Sequence, residues 1–87
     1  MTLQEQFDAA VKEITTITRR PTKDELLILY GYYKQSTEGD VNTPRPAGFD
    51  FKEIAKHDAW NARKGLSKEA AMTAYISEVE RLVKQYR

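Results

Sequence analysis

Apolar residues recur along the first part of the chain at intervals of three and four, which is the spacing of one face of a helix. The residues on this face are Leu3, Phe7, Val11 and Ile14. Thr2 and Glu5 stand at the spacing of a capping box, in which each side chain binds the other residue's backbone N–H. The pattern predicts a first helix from Leu3 to about Thr16, and Pro21 prevents its continuation because the ring clashes with the preceding turn.

A second capping box, Thr22 with Glu25, predicts another helix that reaches roughly Ser36. One side of this helix carries Leu26, Leu29, Tyr30 and Tyr33. Gly39 and Asp40 end it, and the segment 38–48 that follows is rich in glycine, asparagine and proline. Because these residues favour turns and interrupt helices, we expect an irregular loop here, the longest in the chain.

The second half of the chain predicts two more helices. Asp50 and Glu53 have capping-box spacing and open a short helix that ends at Gly65, with apolar positions at Phe51, Ile54, Ala55, Ala59 and Ala62. Ser67 caps the last helix, whose apolar face is Met72, Tyr75, Val79, Leu82 and Tyr86. No segment alternates with a period of two residues, so the chain is predicted to be all-α, a four-helix bundle in one domain covering residues 1–87.

The amino-acid composition excludes several classes of function. The chain has no cysteine, and His57 is its only histidine, so neither thiolate chemistry nor a histidine-rich metal site is available. No serine has a recognisable general base, and we expect no catalytic residues, no metal ligands and no cofactor. A net charge of +1 lacks the basic excess of a general nucleic-acid binder. Any anionic ligand must therefore meet locally placed donors.

No apolar run is long enough to span a bilayer, since the longest extends only from Leu26 to Tyr33. The N-terminal residues MTLQEQF contain neither the basic nor the apolar region of a secretory signal. We therefore expect a cytoplasmic protein, for which transient contact with a membrane is left open.

Tyr30, Tyr33 and Lys34 project from neighbouring turns of the second predicted helix. Two phenol rings and an ammonium group offer faces for stacking a base and donors for a phosphate. The same spacing also suits two core tyrosines whose hydroxyl groups reach the rim of the core. Spacing alone does not separate these two interpretations.

The segment YGYYKQSTEGDVNTPRP, from Tyr30 to Pro46, resembles the signature Tyr-x-x-Tyr-Lys-Gln-x-Thr-x-Gly-Asp of the acyl-CoA-binding protein family. DELLILY before it, and DFKEIAKHDAWNARKG and SKEAAMTAY after it, are similar to the corresponding helices of that family without a gap. The resemblance implies a bundle of up-down-down-up type, a monomer, and non-covalent binding of long-chain acyl-CoA as a carrier and pool former.

The resemblance also implies roles for individual residues. Tyr30 and Lys34 match contacts to the adenosine 3′-phosphate, and Lys56 matches a further phosphate contact. Tyr33 and Tyr75 match residues that pack near the adenine and the acyl chain. The residues that would face the apolar part of the ligand are Leu26, Leu27, Phe7, Ala10 and Val11.

Two positions depart from the family pattern. His57 stands where relatives usually carry tryptophan or tyrosine, and Thr15 stands where many carry a lysine that reaches the head group. Arg20 and Lys52 are the cations that could compensate, although the sequence does not decide this. A helical protein-interaction module is the alternative function, because a shared scaffold does not by itself establish a shared activity.

Overall fold

Four α-helices form the protein in a computed structural model that describes all 87 residues. They are α1 (Leu3–Glu13), α2 (Lys23–Glu38), α3 (Phe51–Asn61) and α4 (Lys68–Tyr86), and a 3₁₀ turn, Ile14–Thr16, follows α1. No β-strand is present, so the all-α prediction is confirmed. None of the helices combines the length and apolarity needed to cross a membrane.

The helix starts follow the predicted caps, with one difference. The capping boxes of Thr2 with Glu5 and of Thr22 with Glu25 are complete, and the Ser67 side chain accepts a hydrogen bond from the backbone N–H of Ala70. At Asp50 only half of the predicted box forms. Its carboxylate accepts from the Glu53 N–H at 3.3 Å, while the Glu53 side chain turns to Lys56 instead.

Two helix ends differ from the prediction. The α-helical part of the first helix ends at Glu13, because the hydroxyl groups of Thr15 and Thr16 donate to nearby carbonyl groups of the preceding turn and tighten the chain into a 3₁₀ turn. Helix α3 ends at Asn61 rather than near Gly65. Beyond it the backbone N–H groups of Arg63 and Lys64 bond three residues back, so the segment continues as tighter turns.

Contacts between the helices give their directions. Phe7 meets Tyr75, and the N–H of Thr18 reaches the carbonyl of Tyr86, so α1 and α4 run parallel. Tyr33 also meets Tyr75 while Glu25 meets Tyr86, so α2 is antiparallel to α4. Helices α2 and α3 are parallel, because Tyr30 lies beside Lys56 and Lys34 beside Trp60. The order is up-down-down-up.

The core lies where α4 packs against both α1 and α2, whereas α3 packs only against α2. Leu82 is 0% exposed and Val79 is 1% exposed. The buried core residues are Phe7, Ala10, Leu29, Tyr75, Val79, Leu82 and Val83. Burial of the α4 face confirms its predicted apolar periodicity.

Helices α2 and α3 approach closely at a glycine. A Cβ atom added to Gly31 would lie 2.4 Å from the backbone oxygen of Ala59, which is closer than real Cβ atoms pack. Glycine inside a helix costs about 1 kcal/mol relative to alanine, so its presence here reflects the need for this close approach. Trp60 seals the same interface, with its ring 5% exposed and its Nε1 donating to the carbonyl of Gly39 at 2.8 Å.

Candidate functional site

A cavity of about 540 Å³ opens between the N-terminal halves of α2 and α3. Apolar walls come from Leu26, Leu27, Ala55 and Phe51. Tyr30 and four cations complete the lining: Arg20, Lys23, Lys52 and Lys56. The volume is within the range of about 300 to 1,000 Å³ that small-molecule sites occupy in proteins.

The local sequence explains why these residues meet. On α2, Tyr30 follows Leu26 by four residues and Leu27 by three. On α3, Ala55 and Lys56 follow Phe51 and Lys52 by four residues each, so each set lies on one face of its helix. Because the two helices are parallel, the two series run side by side. The result is an apolar groove with a positively charged rim.

Tyr30 and Lys56 form a pair at one end of the groove. The Lys56 ammonium lies 4.9 Å from the centroid of the Tyr30 ring, which is a cation–π distance. The Glu53 carboxylate lies 3.6 Å from the same ammonium. The cation is therefore placed by two neighbours, yet its side chain remains 32% exposed and able to meet an anion.

Lys34 lies one turn further along α2 and does not line the groove. Its ammonium bonds to the Glu38 carboxylate and lies 4.8 Å from the centroid of the Trp60 ring. The hydrogen bond to Glu38 raises the pKa of Lys34 above its usual value, so this side chain is a permanent cation. Contact with a phosphate would require it to leave or share Glu38.

Tyr33 and Tyr75 belong to an aromatic cluster with Phe7. Phe7 lies 4.9 Å from Tyr75 and 6.0 Å from Tyr33, measured between ring centroids. Burial raises the pKa of Tyr75 to about 12, so its hydroxyl stays neutral and can donate a hydrogen bond. Tyr33 is 38% exposed and presents the accessible edge of the cluster.

Comparison with known proteins identifies the family. The family described as "Acyl CoA binding protein" matches residues 4–79. A relative from the genus Hypsibius, named "Putative acyl-CoA-binding protein", is 47% identical over 85 residues, covering 98% of this chain and 96% of the relative. The chain belongs to the acyl-CoA-binding protein family.

Solved structures of the family share the fold. The crystal structure of Oryza sativa acyl-CoA-binding protein 2 superimposes with a TM-score of 0.92 at 42% identity, over 97% of this chain and 93% of that one. The solution structure of acyl-CoA-binding protein from Babesia bovis gives a TM-score of 0.80 at 41% identity, over 98% and 97% of the two chains. The predicted bundle is confirmed, and so is the expectation of a binding protein rather than an enzyme, because the family is non-catalytic.

The structure distributes the site residues expected from the sequence among three places. Tyr30, Lys56, Leu26 and Leu27 line the groove. Tyr33 and Lys34 lie on the same helix just beyond it, while Tyr75, Phe7 and Ala10 are buried in the core with the half-buried Val11 packed against them. Ala10 also borders a smaller hollow of about 190 Å³ between α1 and α4.

Five lining residues were not assigned as ligand contacts from the sequence, although Arg20 and Lys52 were named as cations that could compensate for Thr15: Arg20, Lys23, Phe51, Lys52 and Ala55. Phe51 and Ala55 belong to the predicted apolar positions of α3, but that pattern alone does not distinguish a residue that lines a groove from one that packs in a core. The spacing of residues along one helix also does not tell which residues of the neighbouring helix lie opposite them. Of the two positions that depart from the family pattern, Thr15 is exposed, and its uncharged hydroxyl donates to the carbonyl of Lys12.

His57 has a structural role in this chain. Its side chain is 13% exposed, and its Nε2 lies 2.9 Å from the carbonyl oxygen of Thr43 in the loop between α2 and α3. Arg45 from the same loop makes two hydrogen bonds to Asp58, at 2.9 and 3.1 Å. These contacts fasten the loop to α3 beside the groove.

Proposed function

We propose that this protein binds long-chain acyl-CoA esters in the groove between α2 and α3 and acts as a monomeric, cytoplasmic carrier that maintains an acyl-CoA pool. Membership in the family supports acyl-CoA as the ligand. One structural observation carries the proposed location. A single groove combines apolar walls with a placed cation, Lys56, above the ring of Tyr30.

The chemistry of the ligand matches the two parts of the groove. An acyl chain needs dry apolar contacts, which Leu26, Leu27 and Ala55 supply. The phosphates need charged and hydroxyl donors, which Lys56 and Tyr30 supply at one end and Lys34 one turn beyond. We therefore assign the head group to the Tyr30 end and the acyl chain to the stretch that runs toward Lys23.

The assignments of Tyr33, Ala10 and Val11 to the ligand site rest on different observations. Tyr33 is 38% exposed beside Lys34 and is assigned to stack on adenine, with Tyr75 and Phe7 holding its ring in position. Contact of Ala10 and Val11 with the ligand stays a prediction. For Phe7 and Ala10 it requires rearrangement of the core, because they are 3% and 7% exposed.

Calorimetry with a series of acyl-CoA lengths tests the apolar part of the site. Each methylene that becomes buried should contribute on the order of 0.8 kcal/mol before ordering costs, so affinity should rise with length and then level off when the groove is full. Equal affinity for short and long chains would contradict the assigned groove. A helical protein-interaction module would instead show no thermal shift with any acyl-CoA.

Acyl-dephospho-CoA tests the head-group contacts. A charge-assisted hydrogen bond is worth roughly 1.5 to 3 kcal/mol, so loss of the 3′-phosphate should weaken binding at least about tenfold. Lys34→Ala and Lys56→Ala should each reduce the difference between the two ligands and keep the dependence on chain length. Lys84→Ala, an exposed lysine on α4, is the control and should leave both affinities unchanged. Equal binding of both ligands by the wild type would overturn this assignment.

A further inference from the structure

Two phenylalanine side chains are held in solvent beside the groove. Phe49 is 88% exposed and Phe51 is 71% exposed. Their ring centroids lie 6.3 Å apart at an interplanar angle of 70°, so the rings form one contiguous apolar patch. Burying a phenylalanine side chain is worth about 1.5 to 3 kcal/mol, and this surface leaves that free energy available to a partner.

The exposure is built into the fold. The loop 39–50 that presents Phe49 is pinned to α3 through His57 and Asp58, which bind Thr43 and Arg45. On its other side the loop ends at the cap of α3. Because the loop is fastened before and after Phe49, these contacts favour the position in which the ring is exposed.

The charge around the patch has one prevailing sign. Lys52 follows Phe51 directly, and it lines the groove together with Arg20, Lys23 and Lys56. Arg20, Lys23 and Lys52 have no carboxylate within 4.0 Å, so their charge is unpaired. Asp50 caps α3 and Glu53 binds Lys56, and no acidic residue lines the groove. The chain as a whole carries only +1, so this concentration of cations is local.

We propose that Phe49 and Phe51, with the cations around the groove, form a docking surface for an anionic phospholipid bilayer. Phenyl rings favour the boundary between head groups and acyl chains, and each lysine or arginine near an anionic surface adds attraction. Phe51 also lines the groove, so docking through this surface turns the mouth of the groove toward the lipid. The use of docking to exchange an acyl chain rests on the proposed function, whereas the docking surface itself does not.

Phe49 allows the proposal to be tested apart from ligand binding, because it is exposed and does not line the groove. Wild type, Phe49→Ser and Leu66→Ser would be compared by co-sedimentation with phosphatidylcholine vesicles that contain or lack phosphatidylserine. Leu66 is the control, a large apolar residue 38% exposed beyond the C-terminal end of α3. Melting temperatures and calorimetry with an acyl-CoA on all three proteins establish that fold and ligand site are intact.

The wild type is expected to bind the phosphatidylserine vesicles and to lose binding as salt rises. Phe49→Ser should lower this partitioning about tenfold or more, with acyl-CoA affinity unchanged, and Leu66→Ser should behave as wild type. In a Phe49→Trp variant, the same vesicles should shift the added fluorescence to the blue, and a spectrum without that shift would count against insertion.

Three results would overturn the proposal: no binding to anionic vesicles, equal binding to neutral ones, or binding that Phe49→Ser does not weaken. Binding of acyl-CoA without binding of vesicles would remove this inference and leave the proposed function standing. Binding of vesicles without binding of acyl-CoA would do the reverse.

Discussion

Helix α2 has two neighbours, and its two sides differ in how completely they are covered. Toward α4 it places Leu29 in a core with Val79 and Leu82, all 7% exposed or less. Toward α3 it leaves Leu26 and Leu27 half-buried along the groove. The difference arises because α3 is shorter than α4 and has smaller apolar side chains. Helix α3 carries Ala55 and Ala59, whereas α4 carries Val79 and Leu82. One side of α2 provides stability, and the other side keeps apolar surface available for a ligand.

Truncation of Leu82 should cause the largest loss of stability, and its effect should be confined to the α4 side of α2. Leu82→Ala is expected to lower the free energy of unfolding by about 2 to 5 kcal/mol, because the side chain is 0% exposed and its loss leaves a cavity. Acyl-CoA affinity, measured by calorimetry below the melting temperature, should change little. A loss of affinity without a loss of melting temperature would mean that this face of α4 belongs to the ligand site.

Gly31→Ala should disturb both stability and binding, because it pushes α3 away from α2. The added methyl group meets the backbone of Ala59, which cannot turn aside as a side chain can. We expect a net destabilisation of about 1 to 3 kcal/mol from overpacking, partly offset by the better helix propensity of alanine, together with about tenfold weaker acyl-CoA binding. Denaturant unfolding and calorimetry measure the two effects.

Thr37→Ala, an exposed substitution on the same helix, is the control for Gly31→Ala and should change neither quantity by much. Unaltered ligand affinity in a destabilised Gly31→Ala protein would show that the spacing of α2 and α3 does not shape the site.

The sequence predicted more of the α4 side than of the α3 side, and the reason is physical. Caps and a single apolar stripe fix the start of α4 and its buried face, so Val79 and Leu82 could be assigned to the core directly. Helix α2 instead carries the run 26–30, which is apolar around the whole helix and does not reveal which side meets which neighbour. Which of these residues line the groove depends on the parallel packing of α3 against α2.

The site shows the same limit. Tyr30 and Lys56 were expected through the family resemblance, and the structure places them together at one end of the groove. The sequence did not assign Lys23 and Phe51 to the site. Lys23 on α2 and Phe51 on α3 line a groove only because the two helices pack side by side. The end of α3 was also predicted too late, since Gly65 marks the end of the turns that follow the helix rather than of the helix itself.

Acid should weaken the α4 side through Glu25. Hydrogen bonds donated by the Tyr86 hydroxyl, the Thr22 N–H and Arg81 lower the pKa of Glu25 from 4.5 to about 2. A carboxyl whose pKa is depressed by folding adds stability above its unfolded pKa, so this contribution is complete above about pH 4.5 and disappears as the pH falls toward 2.

Urea midpoints measured between pH 7 and pH 2 test this contribution. The wild type should lose stability through that window, and Glu25→Gln should be less stable at pH 7 and show a flatter profile below pH 4.5. Glu80→Gln, at an exposed position on α4, should keep the wild-type slope. Parallel profiles for wild type and Glu25→Gln would refute the role of this carboxylate in acid sensitivity.

The smallest expected effect is on the α3 side and is a gain of affinity, accompanied by a loss of stability of no more than about 0.5 kcal/mol. Lys34 is bound to Glu38, so a ligand phosphate must compete with that carboxylate and also approach its negative charge. An i,i+4 pair on a helix is worth only about 0.3 to 0.5 kcal/mol, and residual repulsion adds a similar amount, so Glu38→Gln should strengthen acyl-CoA binding about two- to fivefold.

Acyl-dephospho-CoA and a double variant make this prediction specific to Lys34. The dephospho ligand should gain little from Glu38→Gln, because the phosphate that Lys34 would meet is missing. Adding Glu38→Gln to Lys34→Ala should likewise produce a smaller gain than adding it to the wild type, since only the repulsion remains to be relieved. If both ligands gain equally, or if the double variant gains as much as the wild type, Lys34 is not the residue that Glu38 restrains from the phosphate. The head-group contacts would then lie with Tyr30 and Lys56 inside the groove.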